Sequence, residues 1–237
     1  MTIAYVLMHS PLVGPSTWAP VAQRLPNALV PSFLHLADAN PPFWPLIADT
    51  VAAAIAPLPP DTNLVLVAHS NAGRFMPVVV DAVNRPVHAC VFIDASLPAR
   101  QGPTEAVKPA LLELVRRKAE AGRLPPWWQW WDEAEVAKLF PNPATMRAVC
   151  DEQPRLPLSF FEQQIPVAPG WDDRPCSYLM FGAEADDDKA TDARERGWRV
   201  DHMSGSHLHQ LVDPDAVAAM IRNVAKTPDR NRRGTSA

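Results

Sequence analysis

Short unbroken apolar runs punctuate the chain at 3–9 (IAYVLMH), 63–69 (NLVLVAH), 87–94 (VHACVFID), 176–182 (CSYLMFG) and 198–203 (WRVDHM), with a weaker one at 28–33 (ALVPSF). Each is continuous, not alternating, which is the pattern of parallel strands covered on both faces. Between them lie stretches with helical spacing: TWAPVAQRL, FWPLIADTVAAAIA, AGRFMPVVVDAVN and ATDARERG. A last helix is predicted to open with Asp213 as N-cap and Pro214 at its first position, and to run to about Lys226. Strand–helix alternation of this kind predicts βαβ units and an α/β fold with a doubly wound, mostly parallel sheet.

Residues 97–170 break the rhythm. They hold a helical stretch, EAVKPALLELVRRKAEAG, then PPWWQWWDEAEVAKLF and RLPLSFFEQQIPVAPGW, without a strong strand. The expected organisation is a core of residues 1–96 and 171–226, a helical cap over 97–170 lying on the C-terminal edge of the sheet, and a polar, flexible tail over 227–237. No internal repeat is apparent.

Composition narrows the function classes. A chain of 237 residues suits one large α/β domain, and 47% hydrophobic with 20% charged residues is ordinary for a globular enzyme. A net charge of −4 and a pI near 6.0 give no basic footprint, so neither nucleic acid nor an anionic membrane is an expected partner. Cys90, Cys150 and Cys176 are too few and too scattered for a disulfide framework or a zinc site. No metal and no cofactor is expected. MTIAYVLMHS reads as a strand, not a leader, and no apolar run reaches the ~20 residues of a membrane span, so the expected location is cytoplasmic. Twenty-seven prolines against nine glycines point to stiffened loops between the elements.

The chemistry is concentrated at LVLVAHSNAGRFMPVVV, a buried strand, a tight turn and a helix, with Ser70 at the point of the turn. A serine on such an elbow stands exposed above the sheet, and the N–H of the next residue, Asn71, faces an oxyanion forming on it. The usual G-x-S-x-G spacing is filled by Ala68 and Ala72, with Gly73 one step on. His69 reads as a packed neighbour of the serine.

With this elbow the chain resembles the α/β-hydrolase superfamily over nearly its whole length, and most closely the compact branch of plant methyl esterases and hydroxynitrile lyases. MHSPLVGPSTW at 8–18 lines up on that branch's first strand and loop, with His9 and Trp18 matching and Ser10 replacing a glycine. The resemblance implies a serine–acid–histidine order and places the histidine in GSHLHQLVDP. His207 fits, with His209 as the alternative. A serine hydroxyl needs an adjacent base to become a nucleophile. For the acid, the commonest family position falls at Ala185, flanked by Glu184 and Asp186. The position seen in haloalkane dehalogenases falls in VFIDASLP, at Asp94 on the strand's C-terminal end, which is favoured, with Asp186 the alternative.

Two further departures bear on activity. The residue whose N–H would complete the oxyanion hole is Pro11, which has no N–H, leaving Asn71 together with Ser10 hydroxyl or Leu12 N–H as donors. The lysine that follows the catalytic histidine in hydroxynitrile lyases is Leu208 here, which argues against that reaction.

Tryptophans 127, 128, 130 and 131 crowd one stretch of the insertion, both packing elements and pocket wall. His9, Trp18, Trp128, Trp131 and Phe161 are the candidate substrate-binding residues. The expected partner is a small, neutral, apolar or aromatic molecule carrying an ester, thioester or lactone, and the chain is expected to be a monomer or homodimer. Two other classes stay open: a lyase, cyclase or isomerase, kept alive by Pro11, and a non-catalytic small-molecule-binding protein.

Overall fold

The computed structural model describes residues 2–182 and 188–226. Among these, eight strands form: β1 (Ile3–Met8), β2 (Ala28–Leu29), β3 (Asn63–His69), β4 (Val87–Ile93), β5 (Thr104–Glu105), β6 (Gln164–Ile165), β7 (Cys176–Phe181) and β8 (Arg199–Met203). Six make one fully parallel sheet in the order β2-β1-β3-β4-β7-β8. The predicted doubly wound α/β sheet is therefore present.

The continuous apolar runs divide by residue parity between two cores. Val6, Met8, Leu64, Leu66, Cys90 and Phe92 face one side, under helices Trp44–Ile55 and Met76–Ala82. Tyr5, Leu7, Val65, Val67, Val91 and Ile93 face the other, under helices Ala19–Ala22 and Pro214–Lys226. Both faces being covered explains why β1, β3, β4 and β7 read as continuous apolar runs. The run expected at 198–203 forms the edge strand β8, whose Arg199 and His202 are exposed and break the apolar pattern. Asp213 caps the last helix as predicted, its Oδ1 accepting from Ala216 N–H at 3.0 Å.

The weak strand predicted at 28–33 shrinks to Ala28–Leu29. It lies at the sheet edge, and Pro31 has no N–H to extend the ladder. The stretch predicted as a helix from Ala72 begins instead as a 3-10 turn over Ser70–Phe75, before helix Met76–Ala82.

Residues 97–170 contain helices Pro109–Lys118, Glu133–Ala137, Pro143–Asp151 and Leu158–Glu162, and the 3-10 turn Trp127–Trp130. They also contain β5 and β6, paired antiparallel with Thr104 opposite Ile165, a two-residue ladder too short to leave a period in the sequence. The far end of this insertion is fastened to the loop after β1. The Glu152 carboxylate accepts from Ser16 N–H at 2.9 Å and from the Ser16 hydroxyl, and it lies where a side chain on Gly14 would otherwise be.

Strand order fixes where a site can form. The chain leaves β1 for β2 on one side and returns to β3 on the other, so the loops after β1 and β3 part and leave a crevice at their C-terminal ends. Ser10–Leu12 and Ser70 sit on those two loops.

Candidate active site

Ser70 follows the last residue of β3 and has φ +57°, a left-handed conformation costly for a residue with a Cβ. The surrounding packing enforces it. Ser70 carbonyl accepts from Ser96 N–H at 2.9 Å, which ties the elbow to the loop after β4. That loop begins with Asp94, also left-handed at φ +42°, its N–H donating to Leu179 carbonyl at 2.8 Å. Two strained residues at adjacent strand ends thus point their side chains above the sheet.

His207 arrives between them from the loop after β8. Its Nε2 lies 2.9 Å from Ser70 Oγ and its Nδ1 lies 2.5 Å from Asp94 Oδ2. A carboxylate only accepts, so Nδ1 carries the proton and Nε2 is left as acceptor for the serine hydroxyl. Burial works to raise the Asp94 carboxyl, but the hydrogen bond and charge of His207, with Lys189 Nζ 3.8 Å from Oδ1, outweigh it. Its pKa is held below the usual carboxylate value, so it is ionised near neutrality.

The alternative base, His209, is turned away: its ring packs on Gly205 and edge-on against Phe181 at 5.4 Å. The alternative acids Asp186 and Glu184 lie outside the described residues.

Pro11 leaves the loop after β1 without a donor at its third position. Leu12 N–H is directed at Ser10 Oγ, 3.3 Å away, and Val13 N–H at Ser10 carbonyl, 3.0 Å away. Of the two expected substitutes, Leu12 N–H is therefore engaged, while Ser10 hydroxyl accepts that bond and keeps its own proton for a group in the crevice. Asn71 N–H starts the 3-10 turn, where the first amides have no intrahelical acceptor. Its side chain is used elsewhere, Nδ2 donating to Ala106 carbonyl at 2.7 Å in the 97–170 insertion.

Ser10, Leu12, Val13, His69, Trp127 and Leu208 enclose the Ser70–His207 pair, leaving about 10 Å³, room for about one water. A larger hollow of about 520 Å³ beside Trp171 and Arg196 brings no nucleophile and base together.

The candidate substrate-binding residues are placed differently from expectation. His9 is fully buried: its Nε2 accepts from Phe33 N–H at 3.0 Å, so its Nδ1 bears the proton and donates to Ser10 carbonyl at 2.8 Å. It braces the loop after β1 from beneath, between Ser10 and Phe33. Trp18 is fully buried in the core with Tyr5, Leu7, Val65 and Val67, its ring edge-on to His69 at 6.1 Å. Phe161 is buried against Trp130 and Phe160. Trp128 packs with Phe140, Val149 and Leu208, and Trp131 is 49% exposed. The tryptophan at the cleft is Trp127, 6.3 Å from the His207 ring. A cluster of four in sequence does not say which one turns inward, because the 3-10 turn spreads them over several directions.

Among the described residues no group of three or more histidine, cysteine or acidic side chains is arranged to hold a metal ion, and no helix is long and apolar enough to cross a membrane.

A family model described as "Alpha/beta hydrolase family" matches residues 5–220. No curated protein matches the sequence at a significant level. Among solved structures, an extracellular α/β-hydrolase from a Paenibacillus species superposes with a TM-score of 0.72 at 16% identity, covering 96% of this chain and 100% of that one. Polyneuridine aldehyde esterase gives 0.69 at 14% identity over 95% of this chain and 100% of the other. A variant of tomato Methylketone Synthase I gives 0.64 at 14% identity over 95% and 98%. The family match covers most of the chain, and the chain belongs to the α/β-hydrolase family, with the compact form of that fold seen in these structures.

Proposed function

We propose that the chain is a serine hydrolase acting on a carboxylic ester, thioester or lactone of a small apolar or aromatic molecule. The observation that carries this reading is His207 bridging Ser70 Oγ at 2.9 Å and Asp94 Oδ2 at 2.5 Å through opposite ring nitrogens. Ser70 Oγ attacks the acyl carbon while its proton passes to His207 Nε2, and Asp94 steadies the imidazolium from Nδ1. The oxyanion accepts from Asn71 N–H and Ser10 Oγ–H. When the intermediate collapses, the Nε2 proton goes to the leaving alcohol or thiol, and Ser70 is left acylated. Water then attacks the acyl group, giving its proton to Nε2, and the acid leaves as Ser70 Oγ regains a proton.

Leu12, Val13, Trp127 and Leu208 around the nucleophile support an apolar substrate. A fluorophosphonate probe tests the reading directly. It should add one phosphonyl group to the wild type, located on Ser70 by peptide mass, and none to Ser70→Ala. An unlabelled wild type would remove the activated serine.

One observation favours a second reading. Pro11 and the engaged Leu12 N–H leave a side-chain hydroxyl in place of a fixed backbone donor, and a lyase, cyclase or isomerase would tolerate that hole better than an esterase would. A panel of chromogenic esters, thioesters and lactones separates the two, since labelling without turnover of any member favours the non-hydrolytic class.

A further inference from the structure

His69 and His207 are tied to each other as well as to their neighbours. His69 ends β3 and is buried, 1% exposed. Its Nε2 lies 2.7 Å from the backbone carbonyl of His207, and the two rings lean on each other with centroids 4.7 Å apart at 37°. A carbonyl only accepts, so the proton of His69 is on Nε2 and Nδ1 is bare. Nδ1 is enclosed without a hydrogen-bond partner among the described residues. Protonating it would bury an N–H with no acceptor beside a ring that must itself become positive during the reaction. Burial, then the charge of His207, push the His69 pKa down to about 3. His69 therefore stays neutral, with one tautomer, over the working range of an enzyme.

The other side of His207 is held too. Leu208 is buried among Val136, Phe140 and Val149 of the insertion. The loop bearing His207 thus has a polar anchor in the nucleophile strand and an apolar one in the cap. Only the polar anchor is joined directly to Ser70, as the residue before it in the chain.

We infer that His69 is a positioning residue: its Nε2–H, donated to the His207 carbonyl, sets the reach of the His207 imidazole between Ser70 and Asp94. A cationic donor at position 69 could make the same bond but would oppose the imidazolium 4.7 Å away, which is the physical reason for a buried neutral histidine here. The inference rests on the Ser70–His207–Asp94 reading of the site.

Full-length His69→Leu and His69→Gln, assayed on an ester that the wild type turns over, test it, with thermal unfolding of each variant measured alongside. His69→Leu removes the donor and should lower kcat ~10–100-fold with KM within ~3-fold, since misplacing a catalytic group costs rate more than binding. Fluorophosphonate labelling of Ser70 should slow in parallel. His69→Gln restores an N–H donor and should recover kcat to within ~5-fold of wild type. A folded His69→Leu with wild-type kcat, or a His69→Gln as damaged as His69→Leu, overturns the inference. Nitrogen-15 spectra of the wild-type imidazoles judge it without any assay, and also where the leucine variant does not fold. His69 should be the neutral Nε2–H tautomer from pH 5 to 8, and an Nδ1–H tautomer overturns the bond. A wild type that takes no label and turns over no ester fails the hydrolase reading instead, and leaves the spectra to decide the His69–His207 link.

Discussion

Gly73 lies so close to the carbonyl oxygen of Ser96 that a Cβ added to it would sit 2.2 Å from that atom and 3.0 Å from Ala95 Cβ. Ser96 in turn donates its N–H to Ser70 carbonyl at 2.9 Å, so the elbow and the loop bearing Asp94 are locked at two points. The obstructing atom is backbone, with no rotamer to escape into. Gly73→Ala should therefore push the two loops apart, costing ~1–3 kcal/mol of stability as overpacking does. Fluorophosphonate labelling should slow with it. A urea midpoint and a labelling rate both at wild-type level would sink this account of the glycine.

Ser70 Oγ and His207 Nε2 lie 2.9 Å apart, and in the proposed mechanism they act as a unit. Ser70→Ala and His207→Ala should each lower kcat by at least ~1000-fold, and the double variant should be no worse than either single one. His209→Ala should be mild, because that ring faces Gly205 and Phe181. Additive losses would mean two separate contributions and a different mechanism.

Asp94 fixes which nitrogen of His207 bears the proton. In Asp94→Asn the amide can donate to Nδ1, which leaves Nε2 protonated and unable to accept from Ser70. The expected loss is ~10,000-fold in kcat at neutral pH with the fold intact by circular dichroism. A loss below tenfold would move the acid role to another carboxylate.

The positions of Ser70 and Asp94 were legible because each directly follows the last residue of a strand, and strand ends follow from apolar runs bounded by polar residues. His207 lies four residues past β8 and was reached through the family resemblance. Asp94 was reached through the end of VFID, and β4 does end at Ile93, one residue before it. Gly73 was visible only as a neighbour of the expected small position. Sequence spacing puts the small residue two after the serine, whereas the close approach falls three after it, since the turn is 3-10 and not α-helical. Contacts between distant loops left no sequence signal: His69 with His207 spans 138 residues, and Ser16 with Glu152 spans 136. His9 and Trp18 matched a family pattern, but a matched residue can be a brace as readily as a contact, and burial alone tells them apart.

Ser10 separates two versions of the oxyanion hole. If its hydroxyl is the second donor, Ser10→Ala should lower kcat ~100–1000-fold with little change in KM. If Leu12 N–H were the donor, the same substitution would free that N–H from Ser10 Oγ, and activity would hold or rise. Turnover and labelling rates of Ser10→Ala beside wild type decide between them.

His9 offers a pH test of the brace under that loop. Burial holds its pKa down to about 4, against 6.5 for a free imidazole, and His69 is held to about 3 by burial and then by His207. Both groups are neutral in the fold, while the unfolded chain takes up a proton on each as pH drops below 6.5. The unfolded state then binds more protons, so stability is complete above that value and falls as pH goes down. Each histidine contributes a slope of up to ~1.4 kcal/mol per pH unit, down to its own folded pKa. The lowered Asp94 carboxyl acts in a separate, more acidic window, where carboxylates are protonated. Urea unfolding at pH 7.5, 6.0 and 5.0 should show stability falling with pH at close to ~2.7 kcal/mol per unit at its steepest. His9→Gln, which cannot titrate, should be less stable at every pH because its flexible amide loses the rigid ring spacing with which the imidazole nitrogens reach Ser10 carbonyl and Phe33 N–H. Its slope, however, should be shallower by about half. That change in slope separates the buried neutral ring from a loss of packing, which would lower all three points equally and leave the slope as in the wild type.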